Sequence, residues 1–132
     1  MSKVTYKGGL RTEANHIQSG NSIVTDAPVD NQGKGEAFSP TDLVATALAS
    51  CMLTIMGIVA KRNNVELKGT TAEVEKIMGT MPRQISKIKI KILFNKNFDK
   101  ITKRKLESAA LTCPVSNSLN KNLEESVKFI YP

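Results

Sequence analysis

Ser39-Pro40-Thr41-Asp42-Leu43 runs on through Ala49-Ser50-Cys51-Met52-Leu53-Thr54 to Arg62. This stretch predicts one long helix over residues 39–62. The Ser39 hydroxyl can accept a hydrogen bond from a first-turn N–H that has no partner inside the helix. Pro40 suits the first helical position, where its missing N–H costs nothing and its φ is already helical. Asp42 puts a carboxylate near the positive end of the helix dipole, and Ser-x-x-Asp is a variant of the capping box. At about 1.5 Å per residue the element spans on the order of 35 Å.

No charged residue occurs from Leu43 to Ala60. A run of that length is at the edge of a membrane span. Yet Ala45, Thr46, Ala47, Ala49, Ser50, Thr54 and Gly57 make it only mildly apolar, and Phe38 is the sole aromatic at its flanks. Spanning helices carry richer apolar runs and aromatic belts. A helix apolar on every side is otherwise a buried one. The expectation is therefore a core helix, wrapped by the rest of the chain or by a partner subunit, with no membrane contact.

The 132-residue chain suits one domain, residues 1–132, with an aliphatic core: 40% hydrophobic residues and no Trp. The start, Met1-Ser2-Lys3-Val4-Thr5-Tyr6-Lys7, lacks the apolar region of a secretory signal, which points to the cytoplasm. Thiols are kept reduced there, so Cys51 and Cys113, 62 positions apart, do not suggest a permanent structural disulfide. One His and two Cys make no convincing zinc site, and no metal or organic cofactor is expected. The net charge is +7, and Lys87, Lys89 and Lys91 alternate along one stretch. Phosphate binding is one reading of those lysines. No aromatics interleave them, so a solvated strand face is preferred over nucleic acid.

Val4 to Tyr6, Leu10 to Gln18 and Ser22 to Thr25 read as three short strands, broken at Gly8-Gly9 and at Ser19-Gly20-Asn21. Asp26 to Phe38 is a loop carrying Lys34 and Glu36 to the helix entrance. Thr70 to Met78 and Ile85 to Phe94 read as paired strands. Ile88, Ile90 and Ile92 alternate with the three lysines, the cleanest period-two signal in the chain. Asp99 caps a helix to about Leu111. Pro114 restarts helix to about Leu123, and Ser126 to Tyr131 closes with Val127, Phe129 and Tyr131 on one face. Strands in pairs, with one long helix and two shorter ones, define an α+β chain with antiparallel sheets.

Cys113 precedes Pro114 and so falls near a helix N-cap, where free N–H groups lower a thiol pKa. Cys51 is mid-helix in apolar surroundings and needs a cation to become a nucleophile. Residue chemistry alone favours a packed core role for each, because free Cys is among the most buried residue types. His16 reads as a surface or structural histidine.

Ser39-Pro40-Thr41-Asp42-Leu43, Ala47-Leu48-Ala49-Ser50-Cys51 and Cys113-Pro114-Val115-Ser116-Asn117 together resemble the OsmC/Ohr family of thiol-dependent peroxidases, in its OsmC-like branch. The resemblance covers nearly the whole chain. It implies an intertwined homodimer with buried central helices and sites drawn from both subunits. It implies reduction of organic hydroperoxides, and of hydrogen peroxide, in oxidative stress defence. Cys51 would be the peroxidatic thiol and Cys113 its resolving partner, with an external thiol or dithiol as reductant. Arg11 stands where the family's thiolate-stabilising arginine belongs; on residue chemistry alone it is a solvated strand residue. Typical peroxidase members carry Glu directly after the helix-starting Pro. Thr41 stands there in this chain, so Glu36 or Asp42 would have to supply the carboxylate. That departure leaves a rival: a non-catalytic module on the same fold, binding a small molecule or a partner.

Overall fold

The computed structural model describes residues 1–132, in two compact units, Met1–Val44 and Ala45–Pro132. The boundary falls inside the long helix, just after its first turn. The first unit is a meander of β1 (Ser2–Gly8), β2 (Arg11–His16) and β3 (Ser22–Asp26), all antiparallel. Leu10 was expected to open β2 but lies in the turn, in the left-handed region at φ 61°. It is pinned there from both sides: its N–H donates to the Tyr6 hydroxyl (3.2 Å), and its carbonyl accepts from Ala27 (3.0 Å). A non-glycine residue persists at such a φ only where its surroundings hold it.

The long helix α1 spans Pro40–Arg62. Its start is the reciprocal box the sequence suggests: Ser39 N–H donates to Asp42 Oδ2 (2.9 Å), and Asp42 N–H donates to Ser39 Oγ (3.0 Å). Its end is a Schellman motif. Asn64 is left-handed (φ 55°), Val65 N–H donates to the Ala60 carbonyl and Asn64 N–H to that of Lys61.

Ala45, Leu48, Ala49, Met52, Met56 and Ala60 are buried, at the spacing of a single helix face. They pack with Ile88, Ile90, Ile92, Phe94, Leu106 and Ala110. Of the two expected coverings, the rest of the chain or a partner subunit, the chain itself supplies only part. Val44, Ala47, Ser50, Thr54 and Ile58 remain exposed, and only 33% of the most apolar 18-residue window is buried. The composition that reads as apolar everywhere serves one covered and one open face.

In the second unit, β4 (Thr71–Gly79) pairs antiparallel with β5 (Gln84–Leu93). α2 (Lys100–Leu111) is capped by Asp99, which accepts from Thr102 N–H at 2.7 Å. α3 ends sooner than expected, at Pro114–Ser118, and β6 (Glu124–Ile130) begins sooner. The expected all-antiparallel sheets need one correction: β6 runs parallel to β5. The two helices form the crossover that a parallel pairing requires, returning the chain to the end from which β5 started. Phe94 closes that corner, stacked on Tyr131 (ring centroids 4.4 Å apart) and tilted against Phe129.

Candidate functional site

Two clusters carry the residues singled out above, one in each unit. In the first, Arg11 and Asp26 are directly opposed in the β2–β3 register. Arg11 Nε donates to Asp26 Oδ1 at 2.7 Å and Nη2 to Oδ2 at 2.8 Å, a two-pronged fork. Asp26 is 1% exposed and also accepts the Glu36 N–H at 3.2 Å. The hydrogen bonds from Arg11, aided by its charge, hold the Asp26 carboxyl below the usual range against the opposing effect of burial. The same fork raises the Arg11 value further, so this guanidinium stays charged.

Glu36 reaches Arg11 Nη2 with its carboxylate at 3.3 Å, and its side chain is 65% exposed. The loop from Asp26 doubles back to bring it there. Gly33 passes so close to Ala27 that a Cβ would lie 1.7 Å from the Ala27 carbonyl oxygen, so no other residue fits. Of the two carboxylates left open by the sequence, Glu36 touches Arg11 while Asp42 closes the helix cap. Asp26 was missed, being read as the first residue of a loop. Counting outward from the Ser19-Gly20-Asn21 turn would have found it, since Asn15 faces Ser22 and Arg11 then faces Asp26. His16 braces that turn, its Nδ1 2.6 Å from the Ser19 hydroxyl.

In the second unit, α1 and the start of α3 bring the cysteines together. Both are free thiols: Cys113 is buried in the core, and Cys51, half-buried, packs against that same core, near enough to act on the Cys113 thiol. Cys113 N-caps α3: its Sγ accepts the Ser116 N–H at 3.4 Å. The lowered pKa expected from that position is not found. Burial pushes the Cys113 thiol up, the neighbouring Cys51 adds to this, and the amides of Ser116 and Val115 only oppose it. The desolvation of a fully covered sulfur outweighs a helix end of five residues. The lysines of β5 line the solvent face as expected, with Lys91 paired to Glu73 at 3.4 Å and Lys87 to Glu124 at 3.1 Å.

A capped apolar helix thus bears one thiol, and a short late helix carries a second, on an α+β scaffold. The profile of the OsmC-like protein family matches residues 33–128, and the chain belongs to that family. It is 56% identical to a candidate osmotic stress induced and detoxification response protein from Psychrobacter arcticus, over 97% of this chain and 93% of that one, with a TM-score of 0.94. The fold is shared with an organic hydroperoxide resistance protein OsmC from Legionella pneumophila (16% identity, 98% and 96% covered, TM-score 0.78). It is shared equally with an organic hydroperoxide resistance protein from Elizabethkingia anophelis (16%, 100% and 96%, TM-score 0.78). No curated protein matches the chain.

Proposed function

We propose that this protein is a cysteine-based peroxidase that reduces organic hydroperoxides. The observation that carries the reading is that Cys51 and Cys113, both free thiols, are brought to one packed cluster, with Cys51 near enough to act on the Cys113 thiol. The Cys51 thiolate attacks the terminal oxygen of the hydroperoxide. The O–O bond breaks, the alkoxide leaves and takes up a proton as the alcohol, and Cys51 becomes a sulfenic acid. The Cys113 sulfur then attacks Cys51, forming the disulfide. The sulfenic oxygen departs as water, carrying the Cys113 proton. An external dithiol returns both cysteines to thiols and is itself oxidised.

Arg11 is the proposed cation for the Cys51 thiolate and the polarised O–O bond, from either protomer of a homodimer. Its fork to Asp26 supports this role by fixing the guanidinium in one orientation. Glu36 takes the place of the carboxylate that typical members carry beside the helix-starting Pro. The homodimer is supported by the open face of α1, with Val44 36% and Ile58 44% exposed, and by the resemblance to the family.

The test is consumption of tert-butyl hydroperoxide with dithiothreitol as reductant. Cys51→Ser is expected to remove turnover to below about one thousandth of the parent rate. Cys113→Ser is expected to stop at a sulfenic acid trappable by dimedone. An inactive parent protein, or one indifferent to Cys51→Ser, overturns the proposal.

A further inference from the structure

Along β6 Glu124, Lys128 and Ile130 are exposed, while Glu125, Val127 and Phe129 on the other row are half-buried, as is Ser126. Glu125 thus puts a carboxylate in a row otherwise filled by apolar residues. A partly buried carboxylate needs a partner. It has one in Ser116, whose hydroxyl donates to Glu125 Oε1 at 2.8 Å and Oε2 at 3.0 Å. Ser116 is also the residue whose amide donates to Cys113 Sγ at 3.4 Å. One residue therefore holds the sulfur with its backbone and the sheet with its side chain.

We propose that Glu125 and Ser116 are positioning residues for the Cys113 thiol, Glu125 acting through the Ser116 hydroxyl to keep the Ser116 amide on the sulfur. A five-residue helix has too few internal hydrogen bonds to fix its own orientation. The other side-chain hydrogen bonds of α3 are local, Asn117 to the Thr112 carbonyl and Ser118 to that of Pro114. The Ser116–Glu125 pair is the one that ties α3 to β6.

The role rests on Cys113 being the resolving thiol. When Cys113 attacks the Cys51 sulfenic acid, its S–H bond breaks and negative charge gathers on a sulfur with no access to water. When a reductant opens the disulfide, Cys113 leaves with the same charge. In both steps an amide held at the sulfur is the donor that meets it. The titratable groups facing Cys113 are Cys51 from α1 and, through Ser116, Glu125 from β6.

The test separates this role from the peroxidase reading. In a Cys51→Ser background, the Cys113 Cβ carbon-13 shift is followed against pH. Glu125→Leu and Ser116→Ala are each expected to raise the midpoint by about one pH unit. Glu125→Gln, whose amide oxygen still accepts the hydroxyl, should leave it in place. With Cys51 present, the Leu and Ala variants should close the disulfide about tenfold more slowly after one equivalent of hydroperoxide, while the hydroperoxide itself is consumed at the parent rate. Unchanged midpoints and closure rates in both variants overturn the positioning role. A parent protein that forms no disulfide overturns the peroxidase reading, and the titration still decides this one.

Discussion

The two units of the chain differ most in what they bury. In Ala45–Pro132 the long helix, β5 and α2 enclose Leu48, Met52, Met56, Ile88, Ile92, Leu106 and Ala110, all at 0% exposure. In Met1–Val44 no apolar side chain is buried; the buried residues are Thr25, Asp26 and Ser39. Val4, Tyr6, Ile17 and Ile23 are more than half exposed. A three-stranded sheet needs an apolar face covered to be stable in water. The second unit meets that condition from its own residues. The first is organised by polar contacts, the Arg11–Asp26 fork and the Ser39–Asp42 box, and leaves its apolar residues available to a partner.

That contrast can be broken at several points. Leu48→Ala should cost about 2–5 kcal/mol in chemical denaturation, whereas Val4→Ala in the isolated chain should change little. Equal costs would erase the distinction. Ile58→Lys sets a charge on the open face of α1 and should convert the proposed homodimer to monomer in light scattering while leaving far-ultraviolet circular dichroism unchanged. An unaltered mass would remove that face from the interface.

Asp26→Asn tests the polar side of the contrast. The folded Asp26 value lies below its ordinary 3.8, so its contribution is complete at neutral pH and is lost as pH falls below that value through the folded one. The thermal midpoint of the parent should therefore drop on acidification in that range. The Asn variant should start lower and be flatter there. Parallel curves would detach the fork from stability. The smallest expected effect is Ser39→Ala, about 1 kcal/mol by loss of the cap, measured in the same denaturation series.

Much of this was legible in the sequence. The Ser-Pro-x-Asp start and the uncharged run give α1, and Ile88, Ile90 and Ile92 against the lysines give β5, because both are local patterns. The parallel partner of β5 was not legible, since the pairing is set by how α2 and α3 carry the chain and not by the strand itself. The cysteine pair was reached through resemblance; nothing in the spacing of 51 and 113 requires the contact. Asp26 was lost at a strand end, where a hairpin partner looks like a loop residue. The pKa of Cys113 went the other way because a sequence displays the helix start but not how completely the sulfur is covered.

The last strand has a further consequence. Glu125 comes to Ser116 only when the carboxy-terminal segment is laid beside β5, with Phe94 and Tyr131 stacked at its end. A chain whose β6 has come away from β5 would thus keep both thiols while the Ser116 amide loses its brace, so the state of Cys113 reports whether the last strand is in place.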